Sequence, residues 1–199
     1  AWFGAPFAQR FTITVFPNRA DFDAAFPAEW GLTQTECWMV ASGVADRLML
    51  LSPRAWTIEA CEHDPADTAE LERLLAHELA HVYHGQHNPS PDFVDTSGID
   101  WFAEGLAVVV SGQLDSGQLA PAREALESGE GPHSLARAWS GKYRYGVSGS
   151  LVAFVEGELG RARVLEMLAA TSGDELLALA GWSEEELLTR WRADVLAQP

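Results

Sequence analysis

The pattern of hydrophobic and polar positions divides the chain into two kinds of element. Residues 11–16 mix β-branched and aromatic side chains and stop at Pro17-Asn18, which predicts a strand. Asn18 then predicts the cap of a short helix carrying Phe22 and Phe26. Apolar runs at 37–41 and 47–51 flank Ser42-Gly43 and predict two more strands, as a bulged hairpin. The period changes after Asp64-Pro65. Leu71, Leu74, Leu75, Leu79 and Val82 recur at helical spacing behind Asp67 and Glu70, a capping-box pair, and Gly85 follows as the expected terminator. A helix is therefore predicted over 67–84 and a Pro-containing loop over 86–99. Asp100 is the expected cap of a helix over 101–111, ended by Gly112. Short helices follow at 121–126, 134–139, 149–159, 162–170, 174–180 and 183–196. Strands first and helices afterwards give an α+β class. The expected layout is one domain, 1–199, with a small mixed-sheet lobe (about 1–85) and an all-helical lobe (about 100–199), the functional cleft between them.

Composition narrows the partners. A chain of 199 residues that is 47% hydrophobic supports one sizeable core, and eight Trp with nine Phe are too many for a disordered chain. No apolar stretch approaches the ~20 residues of a membrane span. Thirteen basic against 29 acidic residues, net charge −16, repel phosphate backbones, so no nucleic-acid partner is expected. Cys37 and Cys61 are the two cysteines. Paired, they would close a loop worth about 3 kcal/mol; unpaired, they would be two buried thiols. This pair, and a start at Ala1 rather than Met, lean the expected location toward a secreted or periplasmic setting.

The chemistry sits on the long helix. His77-Glu78-Leu79-Ala80-His81 is an H-E-x-x-H pattern. Residues i and i+4 share a helical face, so two imidazoles can converge on one metal ion, while Glu78, about 100° round, reaches a bound water without being a ligand. A catalytic zinc takes three protein ligands, commonly two His and a Glu. Glu104, in the apolar segment Trp101-Phe102-Ala103-Glu104-Gly105-Leu106-Ala107, is the candidate third, because a carboxylate among such neighbours costs several kcal/mol unless it is paired or bound. Gly105 is expected to let the two helices approach. Asp95, Asp100 and Ser111 are candidates to support the ligands. His84 and His63 read as solvated, His133 as a loop residue within reach of substrate, and Trp139, Trp182 and Trp191 as core.

H-E-L-A-H followed about twenty residues on by W-F-A-E-G-L-A resembles the gluzincin zinc metallopeptidases, above all the aminopeptidase-N-like enzymes and the small peptidase MA-like bacterial domains. The resemblance covers about residues 68–112. It implies one zinc per chain on His77, His81 and Glu104, Glu78 as general base, and a peptide or protein substrate. Tyr143, in Tyr143-Arg144-Tyr145-Gly146, matches the family's Y-x-x-G segment and is implied to steady the oxyanion, with Tyr145 and His133 as alternatives. No G-x-M-E-N segment is present, so exopeptidase action does not carry over, and Val108 stands where thermolysin-like enzymes place an acid. His87 offers a rival third ligand of metzincin type, although residue 84 is His where that pattern needs Gly. The expected function is zinc-dependent peptide-bond hydrolysis, with substrate pairing to the strand at 47–51. The alternatives are a catalytically silent binding module and a latent enzyme plugged by the apolar segment Trp2, Phe3 and Phe7.

Overall fold

The structure, a computed structural model, describes residues 2–27, 34–115 and 119–198. Three strands form one sheet: β1 (Thr12–Phe16), β2 (Ala41–Val44) and β3 (Arg47–Leu51). Their order is β1-β3-β2; β1 runs parallel to β3 (Ile13 opposite Leu48) and β2 antiparallel to it (Gly43 opposite Leu48). The helices among the described residues are α1 (Arg19–Ala24), α2 (Pro53–Glu59), α3 (Thr68–His87), α4 (Asp100–Val110), α5 (Leu119–Glu127), α6 (Arg144–Leu159), α7 (Arg161–Met167), α8 (Gly173–Ala180) and α9 (Glu184–Ala197), with a 3₁₀ turn at Leu135–Arg137. The class is α+β, as expected. None of these helices is long and apolar enough to cross a membrane.

Most helix starts follow their caps. Asn18, Asp67, Ser172 and Ser183 each accept from the backbone N–H three residues on. Asp67 is only half a capping box, because Glu70 turns back to His63 Nδ1 at 2.8 Å instead of to the cap. Helix α2 was not foreseen; its signal is Ser52-Pro53, a capping Ser before a Pro whose missing N–H has no helical partner to lose.

Three boundaries and one helix contact differ from expectation. Ser42-Gly43 lies inside β2, and the chain reverses at Ala45-Asp46. Helix α3 runs through Gly85 to His87, because the helix crosses other backbone there: a Cβ on Gly85 would sit 2.5 Å from the Pro91 carbonyl oxygen and 2.8 Å from the Ala45 nitrogen. Asp100 is the first residue of α4 rather than its cap, and Ile99 precedes it with no side-chain cap bond. Gly105 serves contact with α6, not α3, since a Cβ there would meet the Ser148 carbonyl oxygen at 2.2 Å.

Two apolar clusters hold the chain together. Phe22, Leu48, Leu51, Trp56 and Val82 form one against the sheet; Phe102, Leu106, Leu151, Val164 and Trp191 belong to the other, among the helices. Helix α3 serves both, Val82 facing the first and Tyr83 the second. Burying such side chains contributes about 1.5–3 kcal/mol each, which locks α3 in position. The Cys37–Cys61 disulfide is formed, joining the segment before β2 to the end of α2. Phe3 stacks on Tyr83 with ring centres 3.8 Å apart, and Trp2 lies under Arg161. The N-terminal segment is thus docked on α3 and α7, not plugged into a cleft.

Candidate metal centre

Helix α3 presents His77 and His81 one turn apart, and their Nε2 atoms lie 3.1 Å from each other. Glu104, in the second turn of α4, brings its Oε2 to 3.4 Å from His77 Nε2 and 3.6 Å from His81 Nε2. Two ligands of a tetrahedral ion with bonds near 2.0–2.1 Å are about 3.3 Å apart, so the donor set and its spacing fit one divalent cation. These three residues could hold a metal ion. His87, the rival third ligand, is turned away: its Nδ1 meets the Tyr83 carbonyl at 2.8 Å and its ring stacks on Tyr83.

Electrostatics ties the cluster together. Burial opposes ionisation of Glu104, but the charges and hydrogen bonds of His81 and His77 outweigh it and hold the carboxyl well below its usual range. Burial alone would lower the His81 pKa; Glu104, with help from Glu78, raises it instead. Glu78 is buried beside the pair, and desolvation pushes its pKa up against the pull of His81 and His77. Strand β2 approaches so closely that a Cβ on Gly43 would lie 2.4 Å from the Glu78 backbone oxygen, and the Gly43 backbone N–H bonds the Glu78 carboxylate.

The group that orients His77 is Gln113, whose Oε1 accepts from His77 Nδ1 at 2.8 Å, leaving Nε2 free to ligate. Its signal was the helix stop before it. Gly112 takes φ 74°, Gln113 N–H bonds back to the Val108 carbonyl, and the amide swings over α3. The residues expected in that role do otherwise. Ser111 donates to its own helix at Val108; Asp100 lines the cleft, its pKa raised by burial and by Glu104; Asp95 donates its backbone N–H to Ser90 Oγ at 3.0 Å.

The cleft over the cluster has a volume of about 320 Å³, and its lining includes β2 together with Trp139 and Tyr145. Tyr145 stands with its ring 6.2 Å from that of His77. Burial, aided by Glu104, pushes its pKa up to about 12. Tyr143, the expected oxyanion group, is elsewhere: its hydroxyl donates to Glu124 Oε1 at 2.7 Å, in a separate depression that also holds the exposed His133. The two tyrosines flank the start of α6, and its docking decides which one faces α3. Trp139, expected in the core, is a cleft wall. His63 bridges Glu70 and the Trp38 carbonyl instead of being solvated. His84, expected at the surface, is 1% exposed. No protein-family model, curated protein or solved structure matches the chain.

Proposed function

We propose that the chain is a zinc-dependent peptide-bond hydrolase of gluzincin type, with a sheet lobe and a helical lobe facing each other across the cleft. The observation that carries this reading is the convergence of His77, His81 and Glu104 with a buried, unligated Glu78 beside them. Bound by those three residues, zinc supplies Lewis acidity for the attacking water and for the scissile carbonyl. Glu78, its pKa raised by burial, takes the proton of the water and returns it to the leaving amine. Tyr145 stays protonated through neutral pH and donates a hydrogen bond where negative charge develops on the carbonyl oxygen. Gln113 keeps the His77 ring in its ligating tautomer.

The substrate backbone pairs with β2, not with the strand first expected. Arg47–Leu51 is the central strand, bonded on both sides, whereas β2 is an edge and its residues line the cleft. The Cys37–Cys61 disulfide is what an oxidising compartment sustains, and we place the protein outside the reducing cytosol on that basis.

The test combines metal analysis with turnover. Purified protein is expected to carry about one zinc per chain and to cleave peptides from a mixed library. Glu78→Gln keeps the zinc and loses turnover; Glu104→Ala loses zinc affinity while His87→Ala keeps it. A folded protein that takes no zinc, or undiminished turnover in Glu78→Gln, overturns the reading. Zinc loading with no cleavage of any peptide assigns a silent binding module instead.

A further inference from the structure

The cleft carries a cation for which the hydrolytic reading has no use. Arg144 opens α6, and its guanidinium lies over three rings: Trp38 at 4.6 Å, Tyr145 at 5.0 Å and Trp139 at 5.5 Å. Arg47, Lys142, Arg161, Arg163 and Arg190 all have carboxylate partners. Arg144 has no ion pair among the described residues; its side chain hydrogen-bonds Tyr145, and its contact with the Gly141 carbonyl, at 3.5 Å, is at the outer limit of a hydrogen bond. Ring faces stabilise its charge but satisfy few of the five donors of a guanidinium. A planar fork with open donors in a partly desolvated wall suits a carboxylate.

Arg144 also stands where a substrate would pass. It lines a second cavity of about 210 Å³ that shares Trp38, Met39, Ala41, His77, Glu78 and Tyr145 with the cleft above the metal cluster. The two spaces adjoin along the His77–Glu78 step, and we read them as the two halves of one groove. Of the carboxylates on the wall of this second half, Glu70 is committed to His63, Glu78 lies beside the metal cluster and Glu62 is exposed to solvent. The guanidinium is 5.0 Å from the Tyr145 ring and that ring 6.2 Å from His77, so it lies within about 11 Å of the ligand histidine. An extended chain covers that span in about three residues. The molecule as a whole, at net charge −16, repels anions, and Arg144 is the one Arg or Lys among the described residues lining either space.

We propose that Arg144 is a specificity residue that binds a carboxylate of the substrate within about three residues of the cleaved bond. This rests on the peptide-hydrolase reading for what the groove holds. The carboxylate is either the C-terminus of a short peptide or an Asp or Glu side chain.

The test reads binding, not turnover. Full-length Glu78→Gln protein in zinc-containing buffer is titrated, by fluorescence anisotropy, into labelled hexapeptides of matched sequence. One pair compares a free C-terminus with its amide; a second, amidated pair compares Glu with Gln at each position. At least one carboxylate peptide is expected to bind about tenfold more tightly than its neutral partner, and the pair that shows this names the source. Adding Arg144→Gln is expected to abolish the preference, and Arg144→Lys, which keeps charge but loses the fork, to retain part of it. Equal binding within both pairs, no binding of any peptide, or a preference that survives Arg144→Gln overturns the proposal. An Arg144-dependent preference in a protein that cleaves nothing removes the hydrolase and leaves Arg144 as the carboxylate site of a peptide-binding module.

Discussion

At the scale of single residues, His84 shows how burial sets acid behaviour. Its ring faces Phe93 and Phe102, neither nitrogen makes a well-formed hydrogen bond, and the one carbonyl that favours its protonated form, that of Leu168, also accepts from Asn88. Desolvation, with a smaller push from His81, takes its pKa down to about 3 from an ordinary 6.5. The unfolded chain binds the proton first, so this contribution to stability is complete above pH 6.5 and is lost as pH falls toward 3. The slope is at most about 1.4 kcal/mol per pH unit. In metal-free protein, His84→Leu is expected to flatten denaturant-melt stability between pH 6.5 and 4, and an unchanged slope would show that the ring is not held neutral. The tyrosine assignment is a second prediction at this scale. Tyr145→Phe is expected to lower turnover about 100-fold at unchanged stability. Tyr143→Phe is expected to leave turnover nearly intact and to cost about 1 kcal/mol through the lost bond to Glu124. Comparing kcat and melting curves of the two separates the roles. H-E-x-x-H was legible because one turn of helix sets its geometry, whereas Tyr143 and Tyr145 share the same local pattern and differ only in which neighbour each meets.

Among the elements, β2 governs the shape of the cleft. It was misplaced in sequence because Ser42-Gly43 reads as a turn, yet those small residues are what lets the strand lie against α3. Gly43→Ala places a methyl group where Glu78 backbone atoms already stand. It is expected to cost about 1–3 kcal/mol and to lower turnover by displacing Glu78. Gly157 is the control: it is exposed on α6 and a Cβ there meets nothing within 4 Å. Gly157→Ala is expected to stabilise by up to about 1 kcal/mol with turnover unchanged. Thermal melts and peptide cleavage of both variants check the pair, and equal effects would mean that the β2–α3 contact is loose. The helices were legible by period and cap; their ends were less so, because Gly85 and Gly105 serve close packing with β-turn backbone and with α6, whereas Gly112, Gly160 and Gly181 end theirs.

For the whole molecule, the decisive feature is that α3 contributes to both apolar clusters, so His77 and His81 are held from two sides. The disulfide ties the segment leading into β2 to the chain following α2, and thereby holds the sheet-side wall of the cleft. Its removal by a Cys37→Ser/Cys61→Ser double variant is expected to cost about 3 kcal/mol, read as a lower denaturation midpoint. The variant is also expected to show weaker peptide binding, since β2 begins four residues after Cys37 and the residues between, Trp38 and Met39 among them, line the cleft. A midpoint shared with the oxidised parent would assign the bond no structural role.

The amino-acid sequence by itself determined the α+β class, the long helix and the placing of His77, Glu78 and His81 on it, since backbone hydrogen bonds within one helix dictate which residues are neighbours. It also singled out Glu104, because an acid in so apolar a segment needs a partner. Only the tertiary structure decided that Glu104 reaches both imidazoles, that Gln113 backs His77, that Tyr145 rather than Tyr143 faces the cleft, and that β2 is its edge. Each of these depends on how separate elements dock, and docking is set by side-chain packing between residues far apart in the chain, which no local period records.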